Sequence, residues 1–143
     1  MVELKQFADG SFGLQGDSTG LQGEFLPVNA SYSATSAAVQ SLFTASRNYI
    51  IKDISGRVDV AGTGGACTIS LYVAPSGTAI GSGTLVHTGS FNVVGAANTK
   101  QTLSLAALAS SLVIPLGSTL GYVITGTATS AVGSLSVTLS PSN

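Results

Sequence analysis

The chain has 143 residues, 44% of them hydrophobic, which suits one domain with a substantial core and is too apolar for general disorder. Only 8% of the residues are charged, against about a quarter in an ordinary soluble domain, and the formal charge of -1 gives no electrostatic reason to expect nucleic acid or an anionic membrane as partner. No apolar run reaches the length of a membrane span, and no basic stretch followed by an apolar core marks the N-terminus as a signal peptide.

Residues 1–27 differ from the rest. They hold four of the six acids, Glu3, Asp9, Asp17 and Glu24, and a small echo, Gly13-Leu14-Gln15-Gly16 and Gly20-Leu21-Gln22-Gly23. Glycine and a low apolar density argue against a stable strand between Gly10 and Gly20. Yet Phe7, Phe12, Leu14, Leu21, Phe25 and Leu26 are costly to leave in water, at roughly 1.5–3 kcal/mol for each side chain. An extended, irregular arm with spaced apolar anchors fits this pattern, and those six residues are its candidate partner-binding contacts. The same anchors could instead wrap over their own domain. Asn29-Ala30-Ser31 matches a glycosylation sequon, which has no use without a secretory route.

From Val28 onward strand signals dominate. Alternation places Ile50, Ile54, Val58 and Val60 on one face and Tyr49, Asp53, Ser55, Arg57 and Asp59 on the other, with Ile51 and Lys52 breaking the pattern. Cys67, Ile69, Leu71 and Val73 form a second stripe, and Leu103, Leu105, Leu112 and Ile114 a third. Leu120, Tyr122 and Ile124 follow, then Leu135, Val137 and Leu139. Gly62-Thr63-Gly64-Gly65 reads as a hairpin connection, and glycine-rich or proline-containing turns near 75–83, 95–98 and 115–118 separate the later runs. Residues 37–42 and 105–112 have weak helical potential and read as a strand entry and a connection. Short strands at this spacing predict an all-β antiparallel sandwich or barrel over residues 28–143.

Beyond Asp59 the only formally charged side chain is Lys100. Water-facing positions there fall to Ser, Thr, Gly and Asn, a surface with little charge repulsion toward neighbours, suited to a packed assembly.

The catalytic inventory is thin. His87 is the only histidine and Cys67 the only cysteine, so no intrachain disulfide can form and no local zinc set exists. His87 lies on the strand face of Leu85 and Phe91 and reads as structural; Cys67 reads as a buried inert thiol. Asp53 and Asp59 share a strand face but are about 20 Å apart at the usual strand rise, too far for a glycosidase pair, and cross-strand ion pairing with Arg57 is the simpler role. Gly62-Thr63-Gly64-Gly65-Ala66 lacks the lysine and following helix of a phosphate loop. No serine sits in a Gly-x-Ser-x-Gly elbow with a plausible base elsewhere, and the acids are too dispersed for calcium except at a site shared between subunits. The sequence argues against an enzyme and implies no cofactor, metal or catalytic residue.

The runs Tyr49-Ile50-Ile51-Lys52-Asp53-Ile54-Ser55-Gly56-Arg57-Val58-Asp59-Val60, Ala74-Pro75-Ser76-Gly77-Thr78 and Thr88-Gly89-Ser90-Phe91-Asn92 resemble small virion proteins of tailed phages. So do Leu120-Gly121-Tyr122-Val123-Ile124-Thr125-Gly126-Thr127 and Gly133-Ser134-Leu135-Ser136-Val137-Thr138-Leu139. The resemblance is to head decoration, or cement, proteins and covers about residues 28–143 in style more than in any diagnostic motif. It implies a jelly-roll sandwich, a homotrimer on the outer capsid surface, and the major capsid protein as partner. The alternative is a receptor- or carbohydrate-binding module at a tail or head fibre tip. The aromatic candidates for a sugar platform would be Tyr32, Tyr49, Tyr72 and Tyr122, with no Trp available. A tail-tube or neck component is a further rival.

Overall fold

A computed structural model describes residues 2–6, 12–16, 24–34 and 37–143. Strands are numbered in chain order. β1 (Val2–Gln6) and β2 (Phe12–Gly16) pair antiparallel, with Leu4 opposite Leu14 and Gln6 opposite Phe12. This corrects the expectation that no strand would form between Gly10 and Gly20. Pairing gives the backbone groups partners, an offset that local composition does not report.

The remaining strands build two antiparallel sheets. The first runs β3 (Leu26–Ala34), β13 (Ala131–Pro141), β5 (Tyr49–Val60), β10 (Thr99–Leu105) and β8 (His87–Thr88), with β11 (Val113–Ile114) on the start of β5. The second runs β4 (Ala38–Thr44), β12 (Thr119–Thr129), β6 (Thr63–Ala74) and β7 (Thr84–Leu85), with β9 (Phe91–Asn92) on β6. The pairing is nested: β3 with β13, β4 with β12, β5 with β10, β6 with β7. An antiparallel ribbon rolled up in this way is a jelly roll, as the resemblance implied. Residues 37–42 enter β4, and the 105–112 connection ends in a 3-10 turn at Ala109–Leu112.

The core lies between the sheets and follows the predicted stripes. Ile54, Val58, Ile69, Leu71, Leu103, Tyr122, Ile124, Leu135 and Val137 are all buried, with Cys67, Val73, Leu120 and Leu139. Two edge-to-face aromatic pairs tie one sheet to the other: Tyr32 on Phe91, with centroids 5.7 Å apart, and Phe43 on Tyr49, at 5.2 Å.

β5 departs from simple alternation, for a visible reason. Thr138 faces Asp53 while Leu139 faces Ile51, so Lys52 is an extra residue; Val132 faces Val60 while Gly133 faces Val58, so Asp59 is another. Each β-bulge shifts the strand by one residue and exchanges its faces. Ile51 and Tyr49 are therefore buried, Ile50 is only half-buried and Val60 is exposed, which corrects the grouping of Ile50 and Val60 with Ile54 and Val58. The hairpin expected at Gly62–Gly65 is also corrected. β5 and β6 lie in different sheets, and residues 61–62 carry the chain across, with Gly62 N–H donating to the Val93 carbonyl at 3.0 Å. A Cβ at Gly62 would lie 2.7 Å from that of Ala128, so this crossing has no room for a side chain.

Candidate functional site

The residues with chemical potential are placed structurally. His87 is 2% exposed, and its Nε2 accepts a hydrogen bond from the Leu71 N–H at 2.9 Å. The proton of the neutral ring therefore sits on Nδ1, which has no hydrogen-bond partner among the described residues. Burial pushes the His87 pKa down, with the nearby backbone of Thr88 and Gly89 partly opposing. The ring joins β8 of one sheet to β6 of the other, close to where the chain crosses between them. Leu85, expected on the same face, is exposed instead, because it belongs to β7 in the second sheet.

Cys67 is buried and unpaired, and burial pushes its thiol pKa up, away from the thiolate a nucleophile needs. Arg57 pairs with Asp59 two residues on, Nε to Oδ1 at 2.7 Å, and its Nη2 donates to Asn98 Oδ1 at 3.1 Å. The ion pair lies within one strand, which corrects the cross-strand pairing expected for Arg57. Among the described residues, no three His, Cys, Asp or Glu side chains gather where they could hold a metal ion.

Three of the four tyrosines proposed for a sugar platform, Tyr32, Tyr49 and Tyr122, are core residues, and Tyr72 is half-buried. Tyr32 donates to the Arg57 carbonyl at 3.4 Å; burial, with Asp59 and Cys67 nearby, raises its pKa to about 12.

The candidate site is therefore a surface. At the end of the sandwich where β3 begins and β13 ends, Glu24, Phe25, Leu26, Arg47, Tyr49 and Pro141 line a hollow of about 250 Å³. Phe25 is 58% exposed and Leu26 37%, and Leu26 is paired with Leu139 as the first residue of β3. Leu116, also exposed, stands on an adjoining loop held by its N–H donating to Asn48 Oδ1 at 2.9 Å. Of the other predicted contacts, Phe12 and Leu14 fall in β2, and Phe7 and Leu21 lie outside the described residues. Arg47, Leu116 and Pro141 were missed by sequence reasoning, and Tyr49 was named only for a sugar platform, because only folding brings these distant positions to one rim.

A second surface is the outer face of the first sheet. Asn29, Ser31 and Ser33 of β3, Ser134, Ser136 and Thr138 of β13, Ser55 of β5, and Thr102 and Ser104 of β10 form rows of short polar side chains across four strands.

No protein-family model and no curated protein matches the chain. Among solved structures, a chain of the cyanophage Pam1 capsid asymmetric unit is similar, with TM-score 0.50, 18% identity, and coverage of 91% of this chain and 94% of that one. A chain from the disulfide-linked pili of Bacillus endospore appendages gives TM-score 0.42, 20% identity and coverage of 83% and 87%. A chain of infectious bursal disease virus, Gt strain, gives 0.35, 20%, and coverage of 80% of this chain and 31% of that one. The first likeness is one of fold; the other two are too loose to add to it.

Proposed function

We propose that this chain is a structural protein of a phage virion: a decoration, or cement, protein on the outer capsid surface that bridges capsid subunits as a homotrimer. The observation that carries this reading is a jelly roll whose exposed surface is hydroxyl-rich and, beyond Asp59, carries a single charged side chain, with Phe25 and Leu26 exposed at the end where β3 begins and β13 ends. The fold likeness to a capsid chain, spanning nearly all of both chains, supports it.

The mechanism is added interface. A shell under outward pressure parts at its weakest subunit contacts, and a bridging protein must be pulled away before they separate. A stable contact of this kind buries about 800 Å² on each partner. In this reading residues 28–143 are the sandwich and residues 1–27 a tether. Phe7, Phe12, Leu14, Leu21, Phe25 and Leu26 are the tether's anchors in a neighbouring subunit or the shell. No catalytic step is assigned.

The test adds purified chain to particles depleted of it and follows the temperature at which they release DNA. The expected result is saturable binding to the major capsid protein shell and a higher release temperature. Absence of binding, or binding to tail structures alone, overturns the proposal. Light scattering at micromolar concentration tests the trimer separately.

A further inference from the structure

Arg57 and Lys100 face each other directly across β5 and β10. Like charges in that position repel and destabilise a strand pair. Lys100 is the only charged side chain beyond Asp59, so its placement opposite another cation stands out. Asp59 takes the Arg57 Nε, leaving Lys100 with no ion-pair or hydrogen-bond partner among the described residues.

Beside this pair lies a recess of about 200 Å³ lined by Ser55, Gly56, Arg57, Lys100, Ser134 and Ser136. The register brings the hydroxyls together, with Ser134 opposite Arg57 and Ser136 opposite Ser55. None of the three serine hydroxyls has a hydrogen-bond partner among the described residues, although Ser55 is only 8% exposed. A recess with the unpaired Lys100 ammonium, an Arg57 already ion-paired to Asp59, and three hydroxyls free to donate is matched by a group that only accepts and carries negative charge. A carboxylate has that chemistry, and charge-assisted bonds to it are the strong ones.

The charge distribution along the chain points to the source. Residues 1–27 carry Glu3, Asp9, Asp17 and Glu24 against Lys5, a formal charge of -3; residues 28–143 carry Arg47, Lys52, Arg57 and Lys100 against Asp53 and Asp59, a formal charge of +2. A two-stranded hairpin such as β1–β2 is marginal in water until it lies on another surface. The outer face around the recess offers it a broad bed of short polar side chains.

We propose that the Arg57–Lys100 recess is a carboxylate-binding site that takes an acidic side chain of this chain's own N-terminal segment, clasping it to the outer face of the first sheet. The inference rests on charge placement and register and describes the free chain, whose N-terminal segment the tether reading hands to a neighbouring subunit or the shell on binding.

The test is zero-length carbodiimide coupling of the full-length chain, using a mixture of ordinary and ¹⁵N-labelled protein, followed by peptide mapping. The expected product joins Lys100 to Glu3, Asp9, Asp17 or Glu24. Isotope pairing tells whether the acid comes from the same copy or a second one: a link within one copy supports the proposal, and a link only between copies overturns it. Coupling should fall about tenfold in roughly 0.5 M NaCl, where screening is nearly complete within a few ångströms. Lys100 coupled only to Asp53, Asp59 or the C-terminus, or to nothing, overturns it. A parallel NMR titration with sodium acetate, against sodium chloride, reads the Ser55, Ser134 and Ser136 amides. If acetate shifts them while Lys100 couples to no N-terminal acid, the recess takes small carboxylates only and the clasp is wrong.

Discussion

Gly56 is a place where two sheets meet too closely for any side chain, and Gly56→Ala should show it. A Cβ there would lie 2.5 Å from Phe91 Cε2, 2.9 Å from Phe91 Cζ and 2.9 Å from the Ser134 carbonyl oxygen. Carbon atoms rest comfortably about 3.5–4.0 Å apart, so the overlap approaches an ångström. The Phe91 ring is fully buried and set edge-on against Tyr32, so it cannot swing away without disturbing the aromatic bridge between the sheets. Overpacking of this kind costs about 1–3 kcal/mol. At about 3 °C per kcal/mol for a chain near this size, the melting temperature should fall by roughly 3–10 °C. Phe91→Leu removes the two ring atoms concerned and is itself destabilising, because it opens a void. Combined, the two changes should cost about 1 kcal/mol less than their sum. Rescue stays partial because the Ser134 carbonyl does not move away. The assay is reversible urea or thermal melting of the four proteins at one protomer concentration, since self-association shifts apparent stability. A Gly56→Ala loss below about 0.5 kcal/mol, or losses that simply add, would refute the close-contact argument.

Ile69→Ala, at a fully buried position on β6, should cost about 2–5 kcal/mol in the same melts; a loss under about 1 kcal/mol would contradict the register given for the second sheet. His87 has a folded pKa below its ordinary 6.5, so the unfolded chain binds the proton first as pH falls. Its contribution is therefore fully present above pH 6.5 and lost as pH drops below that value. Melts between about pH 7.5 and 5 should show this slope, and His87→Leu should flatten it; an unchanged slope would remove His87 as its source. Deleting residues 2–23 should leave the melting temperature of the sandwich within a few degrees, since the β1–β2 hairpin pairs with itself, while capsid binding weakens at least about tenfold, or 1.4 kcal/mol. Unfolding on deletion would make the segment part of the domain's own core, and unchanged binding would end the tether role.

The core was legible because a sheet with one buried face writes a two-residue period into its sequence, as at Cys67, Ile69, Leu71 and Val73. The period misleads where a bulge inserts a residue. The break in alternation at Ile51 and Lys52 was visible but not the exchange of faces it marks, Asp59 carries no local sign at all, and only the pairing with β13 reveals both bulges. Sheet membership is likewise a long-range property. Gly62–Gly65 has the composition of a hairpin turn, yet its flanking strands belong to opposite layers. The apolar rim could be half anticipated from Phe25 and Leu26. Tyr49 and Pro141 join it through contacts that no local pattern encodes. The Arg57–Lys100 juxtaposition depends on the β5–β10 register, and the rarity of charge near Lys100 was its only trace in the sequence.

The proposed role is tested most directly by a reconstructed image of the intact particle, resolved well enough to place a jelly roll of this size. The account predicts density for the sandwich on the outer capsid surface, seated across the junction between major capsid subunits, with the apolar rim of Phe25 and Leu26 against the shell or a sister copy. Density for this chain at a fibre tip, in the tail tube or at the neck, with none on the shell, would contradict it.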